Sequence, residues 1–140
     1  MGLHSGIAFL LASIAIFTVG GCNRPADYAL VGSAFVPSAQ GEIEVEKGDG
    51  GEILINMTID QLVSPERIEL GLTHYVVWFT SVGALPQRQG TLDYDPETQI
   101  GHASIPTMLR EFELQITAEA SETPNRPSDL VVASQKIREN

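Results

Sequence analysis

The sequence predicts one all-β domain, an antiparallel sandwich, and three observations support this expectation. Apolar and polar residues alternate along several short segments, which is the pattern of strands with one buried face. Turn signals that contain Gly, Pro or Asp separate these segments at short intervals. The only helical candidates are brief, at residues 64–69 and 106–110. The length of 140 residues fits a single domain.

We expect about seven or eight strands after residue 27. The segments that carry strand patterns are 28–36, 42–46, 53–59, 75–79, 90–94, 100–105, 111–119 and 130–137. A Gly-rich turn at 48–51 joins the second and third segments into a hairpin, and residues 95–98 (Asp-Pro-Glu-Thr) have the pattern of a type I turn. This arrangement favours an immunoglobulin or fibronectin-III type of sandwich, with a closed barrel or a jelly roll as the alternative.

Two of the predicted strands differ in how their faces are expected to be covered. Residues 75–79 are apolar at every position, which predicts a central strand covered on both sides. We expect Trp78 to be a core residue with Tyr75 and Phe79, and a binding face formed by these three aromatic residues is the alternative. Residues 111–119 alternate instead between apolar and polar side chains. Thr117 and Glu119 occupy polar positions of that half-buried strand.

An apolar leader precedes the predicted domain. Residues 1–21 contain no Asp, Glu, Lys or Arg, and residues 7–19 form an almost unbroken apolar run. That run is shorter than the roughly 20 residues that a membrane-spanning helix needs, and it has the length of the apolar part of a secretory signal peptide. It ends in Val19-Gly20-Gly21-Cys22, and Cys22 is the one cysteine of the chain.

This leader resembles that of bacterial lipoprotein precursors, whose signal ends in an aliphatic residue, a small residue, Gly or Ala, and Cys. The resemblance implies that Cys22 receives a diacylglyceryl group, that cleavage occurs just before it, and that the new amino terminus is acylated. Residues 1–21 are then the cleaved signal peptide, 22–27 a tether and 28–140 the sandwich. Because residues 1–6 lack Lys and Arg, a plain signal peptide or an uncleaved anchor is the alternative.

A lipoprotein of this kind resides in the cell envelope outside the cytoplasm. Its first partner is the membrane lipid that acylated Cys22 enters. Asn23, rather than Asp, after the cysteine favours the outer membrane if the host is Gram-negative.

Residues 75–137 are also similar to β domains of the bacterial envelope, including the extracytoplasmic domain of membrane anti-sigma factors. The similarity rests on the aromatic strand with Trp78, the Gly-Thr-Leu at 90–92, the alternating strand at 112–119, and Pro127-Ser128 before the last strand. These are mostly core and turn positions. The resemblance therefore implies a fold, and a sigma-factor-binding role is not carried over.

Composition excludes several classes of function. Eight Lys and Arg against 18 Asp and Glu give a formal net charge of −10, which argues against binding nucleic acid. A single cysteine excludes an intramolecular disulfide framework and a cysteine-based zinc site. No Gly-x-Ser-x-Gly motif is present, and only His74 and His102 follow the leader. We expect no enzyme and no cofactor, and a hydrolase would need one of those histidines beside a Ser and an acid.

A ligand- or metal-binding domain is the alternative function. Asp93, Asp95 and Glu97 have the spacing of oxygen ligands in a calcium loop, although the Gly and Glu that an EF-hand places later in its loop are missing. His74 and His102 are the other candidates for metal ligands. The acids at positions 42, 44 and 46 are interpreted as the solvated face of a strand.

The leading hypothesis is a non-catalytic interaction or accessory module whose partner is another envelope protein. Loops are the better candidates for contact, because a sandwich gathers them at its ends and leaves them free to vary. The two longest loops after the Trp strand are 82–89 and 121–129. The first contains the apolar residues Leu85 and Pro86, and the second contains Arg126 as its only cation.

Overall fold

The computed structural model describes residues 26–140 together with Gly2. Residue 1 and residues 3–25 lie outside the described residues. They include Cys22, the residues of the predicted signal peptide other than Gly2, and the predicted tether up to residue 25. Within residues 26–140, no helix has the length and apolar character needed to cross a membrane.

Two antiparallel sheets form the domain, which confirms the predicted all-β sandwich. The first sheet has five strands in the order β1-β2-β3-β7-β6, and the second has four in the order β5-β4-β8-β9. In chain order the strands are β1 (Ala26–Val31), β2 (Gln40–Lys47), β3 (Ile53–Asp60), β4 (His74–Ser81), β5 (Gln87–Thr91), β6 (Asp93–Asp95), β7 (Ile100–Thr107), β8 (Glu111–Glu119) and β9 (Val131–Arg138).

Both predicted turns form as expected. The β2–β3 hairpin closes through a short 3₁₀ turn, Asp49–Gly51, in which Gly50 has a φ of 67° that a side chain would strain. In the β6–β7 turn the Asp95 carboxylate accepts a hydrogen bond from the Glu97 amide at 2.9 Å. The helical candidate at 64–69 is a single 3₁₀ turn, Pro65–Arg67.

Two predicted elements in the second half of the chain were wrong. The strand expected at 90–94 is two strands in different sheets, because the chain crosses between the sheets at Leu92: Thr91 pairs with Val76, and Asp93 pairs with His102. The expected helical turn at 106–110 does not form, because Pro106 lies within β7 opposite Leu54.

The first strand also differs from its expected range. β1 begins at Ala26, inside the range predicted as tether, and ends at Val31 instead of residue 36. The chain turns after Val31, where the Gly32 amide donates to the Ala39 carbonyl at 2.8 Å. That hydrogen bond closes the connection to β2.

Strand β4 is covered on both faces, as the sequence predicts, but its two faces are covered by different parts of the protein. Tyr75, Val77 and Phe79 belong to the core between the sheets. Trp78 is 1% exposed yet is not part of that core cluster, because its side chain points to the outer face of the second sheet. The expectation that Trp78 is a core residue was therefore correct in its burial and wrong in its location.

Two tyrosines fasten the chain segment that crosses from β3 to β4. Tyr94 Oη donates to the Leu62 carbonyl at 2.6 Å, and Tyr75 Oη donates to the neighbouring Val63 carbonyl. The two rings meet edge to face with their centroids 5.6 Å apart. Burial, as the largest cause, raises the pKa of both phenols above the ordinary value of 10, so the folded protein holds them neutral.

We predict that Tyr75→Phe separates the contribution of the Tyr75–Val63 hydrogen bond to stability from the contribution of the raised phenol pKa. Loss of the hydrogen bond to Val63 lowers the free energy of unfolding near pH 7 by about 1 kcal/mol. The phenol pKa of Tyr75 is higher in the folded than in the unfolded chain, so above about pH 10 the unfolded chain loses this proton first. The free energy of unfolding therefore falls as the pH rises above about 10. The variant should therefore lose less stability than wild type between about pH 9 and 11. Denaturant unfolding at each pH measures this, and parallel profiles would contradict the prediction.

Candidate functional site

A groove crosses the outer face of the second sheet above Trp78. It lies between the β4–β5 turn and the loop that joins β8 to β9, and its volume is about 610 Å³. Leu85 and three prolines form its apolar walls, and its polar lining is provided by two arginines, Gln87 and Asn125. The lining residues are Trp78, Leu85, Pro86, Gln87, Arg88, Pro124, Asn125, Arg126 and Pro127.

The two loops that the sequence indicates as contact surfaces therefore meet at one site. Leu85 and Pro86 come from the first loop, Arg126 comes from the second, and all three line the groove. The sequence leaves Trp78 open as part of a binding face but favours a core position, and it gives no indication of Arg88 as the second cation. Arg88 follows Pro86 by two residues and is directly opposite Trp78 in the pairing of β5 with β4. A Trp paired with an Arg beside an apolar turn was the signal that could have identified the site.

A chain of buried hydrogen bonds holds the floor and one wall of this groove together. Trp78 Nε1 donates to Thr117 Oγ1 at 2.9 Å, and the Thr117 hydroxyl donates to Glu119 Oε2 at 2.7 Å. The Ser128 amide donates to the same carboxylate oxygen at 2.9 Å, and the Ser128 hydroxyl donates to the Ala118 carbonyl at 2.9 Å. The loop that carries two of the prolines and Arg126 is thus fixed to β8 and, through Thr117, to Trp78.

Local irregularity in the strands accompanies this arrangement. The pairing register shifts between Val77 and Trp78 where β4 meets β5, and between Ile116 and Thr117 where β8 meets β9. Bulges of this kind bend a strand and redirect side chains. The expectation that Thr117 and Glu119 occupy the solvated side of a half-buried strand was wrong, because the β8–β9 loop folds back and buries both.

The groove differs in charge from the rest of the domain. All 18 acids but only seven of the eight cations lie within residues 26–140. Two of those cations, Arg88 and Arg126, are exposed at the groove, and no Asp or Glu lines it. A guanidinium donates paired hydrogen bonds to a carboxylate, and the exposed surfaces of Leu85 and the prolines pack against apolar groups. The groove can therefore accept an apolar group that carries or adjoins a carboxylate.

The histidines and acids proposed as metal ligands are not gathered into one site. His102 Nε2 lies 3.3 Å from Asp93 Oδ2 in the first sheet, whereas His74 Nε2 lies 3.9 Å from Glu122 Oε2 beside the second. The Asp95 carboxylate is engaged with the turn that follows it. Within residues 26–140, no three His, Cys, Asp or Glu side chains are placed so that they could hold a metal ion.

We predict that Thr117→Val weakens the domain although the two side chains are nearly equal in shape. Trp78 Nε1 and the Glu119 carboxylate each lose a buried partner, which should lower the free energy of unfolding by about 1–3 kcal/mol. Denaturant unfolding followed by fluorescence measures the loss, since Trp78 is the one Trp of the chain.

Thr80→Val is the matched control for that experiment. Thr80 follows Trp78 by two residues on the same strand, and its Oγ1 is buried without a hydrogen-bond partner in the described part of the chain. Removing this hydroxyl should leave stability unchanged or raise it. Equal losses in the two variants would mean that the hydrogen-bond chain does not stabilise the fold.

Within residues 26–140, the groove and its hydrogen-bond chain are the feature on which we base a function. Comparison with protein-family models, with curated proteins and with solved structures finds no match to this chain. The groove combines the apolar side chains of Leu85 and the prolines with two exposed guanidinium groups and a fixed loop above the buried Trp78, and its accessible lining is more polar than apolar.

Proposed function

We propose that this chain is a bacterial lipoprotein whose β-sandwich is a non-catalytic interaction module in the cell envelope. The uncharged leader and the motif Val19-Gly20-Gly21-Cys22 support a lipid anchor outside the cytoplasm. Two or three acyl chains anchor a protein stably where one does not, since each buried CH₂ adds about 0.8 kcal/mol.

The groove above Trp78 supports the interaction part of the proposal, and it is the observation that carries it. Its walls come from a turn and a loop, which is where contact residues are usually found. Unlike a mobile loop surface, the wall formed by the β8–β9 loop is fixed by hydrogen bonds from Ser128 to β8, so little conformational entropy is lost on binding. A wall that is ordered before binding suits specific recognition.

The partner is identified by its chemistry as an apolar protein segment with Asp or Glu beside it. Arg88 and Arg126 would pair with the carboxylates, while Leu85 and the prolines would cover the apolar side chains. An acidic domain also repels acidic surfaces, so the two arginines select where such a segment can approach. We propose that this segment belongs to another envelope protein.

Lipid attachment is tested first, by growing the expressing bacterium with an alkyne fatty-acid analogue. The full chain should incorporate the label, and Cys22→Ala should lose it, because Cys22 is the one cysteine and its thiol is the acceptor. Total protein is followed by immunoblotting to normalise the label. Undiminished labelling of Cys22→Ala would contradict lipidation at this residue.

Groove binding is tested in the same cells with the photocrosslinker p-benzoylphenylalanine at Gln87. This exposed residue lines the groove, and Glu44 in β2 is an equally exposed control on the other sheet. We expect a discrete adduct at position 87 that is absent at position 44.

Charge reversal then shows whether the adduct depends on the arginines. Arg88→Glu combined with Arg126→Glu should reduce its yield several-fold, because both guanidinium groups would be replaced by carboxylates. Lys47 is an exposed cation at the end of β2, away from the groove. Lys47→Glu is therefore the control for the effect of reversing one positive charge outside the groove. Equal yields in the groove double variant and in the Lys47 variant would contradict recognition through the groove.

A further inference from the structure

The turn between β4 and β5 is exposed and entirely apolar. Residues 82–86 read Val-Gly-Ala-Leu-Pro, and Val82 and Leu85 are 86% and 80% exposed. Gly83, with a φ of 73°, and Pro86 are ordinary turn residues, whereas the other three positions lack the Asn, Asp or Ser side chains that commonly hydrogen-bond to the backbone of a turn. Five consecutive positions without a polar side chain are unexpected on a domain that has 18 acids.

Strand pairing places this turn at the end of the sandwich where the chain enters from Cys22. Ala26 lies opposite Val45 near the β2–β3 turn, and the end of β7 lies opposite the start of β3. Residues 108–110 connect that end of β7 to β8, and Phe112 near the start of β8 pairs with Ser81 just before the apolar turn. We call this end of the sandwich, with its turns at 48–52, 82–86 and 108–110, the anchor end.

A second turn at the anchor end has the same character. Residues 108–110 read Met-Leu-Arg, contain no acid, and leave Met108 64% exposed. The Arg110 guanidinium donates a hydrogen bond to the Gly51 carbonyl, which ties this turn to the β2–β3 turn. The anchor end therefore presents apolar side chains with a cation beside them, a combination that suits the boundary between acyl chains and phosphate headgroups.

The position of Ala26 distinguishes the two ends of the sandwich, whereas the exposure of apolar side chains and the density of acids do not. Phe35 and Leu70 are exposed apolar residues at the opposite end, so exposure alone selects neither end. The segments 61–73, 92–99 and 120–130 at that opposite end contain seven acids in 32 residues, and the turns of the anchor end with residues 139–140 contain three acids in 15, so the density of acids is about the same at the two ends. Ala26 pairs with Val45 at the anchor end, so the proposed lipid anchor is what selects this end.

We infer that the anchor end rests on the lipid surface, with residues 82–84 and Met108 in contact with the bilayer that holds Cys22. The inference rests on the proposed lipid anchor. Ala26 follows Cys22 by four residues, which span at most about 14 Å when fully extended. A tether of that length keeps the anchor end within reach of the headgroups, and the apolar turn gains by leaving water.

Lipid photolabelling of the full-length lipidated chain tests the contact. The protein is reconstituted through its anchor into vesicles of phosphatidylethanolamine and phosphatidylglycerol that contain a diazirine-tagged phospholipid. After illumination, mass spectrometry maps the lipid adducts along the chain. We expect adducts concentrated on residues 82–84 and on Met108, and several-fold fewer on Leu70, which is 92% exposed at the opposite end.

Paired variants show whether the apolar side chains cause the contact. Val82→Glu combined with Met108→Glu should reduce adducts at the anchor end several-fold, whereas Leu70→Glu should leave them unchanged. All three residues are exposed, so these variants should fold, and denaturant unfolding checks this. Equal adduct yields at Leu70 and at the anchor end would overturn the inference.

The fatty-acid label separates failure of the inference from failure of the proposed function. If Cys22 is labelled but the lipid adducts are spread evenly over the domain, the anchor stands and the resting orientation is wrong. If Cys22 carries no label, the lipid anchor and the orientation derived from it are both wrong.

Discussion

The Glu119 carboxylate is 6% exposed and accepts hydrogen bonds from the Thr117 hydroxyl and the Ser128 amide. Burying a carboxylate costs several kcal/mol unless donors replace the water that it loses. Here the donors come from its own strand and from the loop that follows, so the loop must fold back over β8 to satisfy the acid. The groove depends on this requirement, because the folded loop is one of its walls.

The same hydrogen-bond chain explains why an indole is buried on the outer face of a sheet. One face of an antiparallel sheet is commonly solvated, and a Trp there would ordinarily be exposed. Thr117 provides a partner for Trp78 Nε1 and passes a hydrogen bond on to Glu119. The polar atoms are satisfied within the protein, so the loop can cover the indole without leaving its N–H unpaired.

The period of a strand predicts which residues alternate and leaves open what covers each face. Alternation in β8 predicts Phe112 and Leu114 as core residues, and the structure confirms both. The same alternation could not predict that Thr117 and Glu119 are buried, because they are covered by the β8–β9 loop, which is not part of the alternating pattern of the strand. Leu92 shows a second limit: the chain passes from one sheet to the other there, and neither propensity nor period marks a change of sheet.

Candidate site residues could be predicted only to the level of loops. Apolar and charged residues in the two longest loops indicated Leu85 and Arg126, since such residues in turns have little structural reason to be there. That these residues face one another across Trp78 depends on the direction in which the β8–β9 loop folds. This direction is set by the hydrogen bonds of Ser128 to Glu119 and Ala118, which are contacts across nine and ten residues of the chain.

The groove and the anchor end share the β4–β5 turn, which connects the two proposals physically. Leu85 and Pro86 line the groove, whereas Val82 lies at the start of the same turn beside the end of β4. On the proposed orientation, a partner seated in the groove therefore lies close to the membrane surface. On the same proposal, the lipid anchor would confine this chain to that surface and raise its effective concentration for a partner held there, so that a small groove would need only modest intrinsic affinity to be occupied.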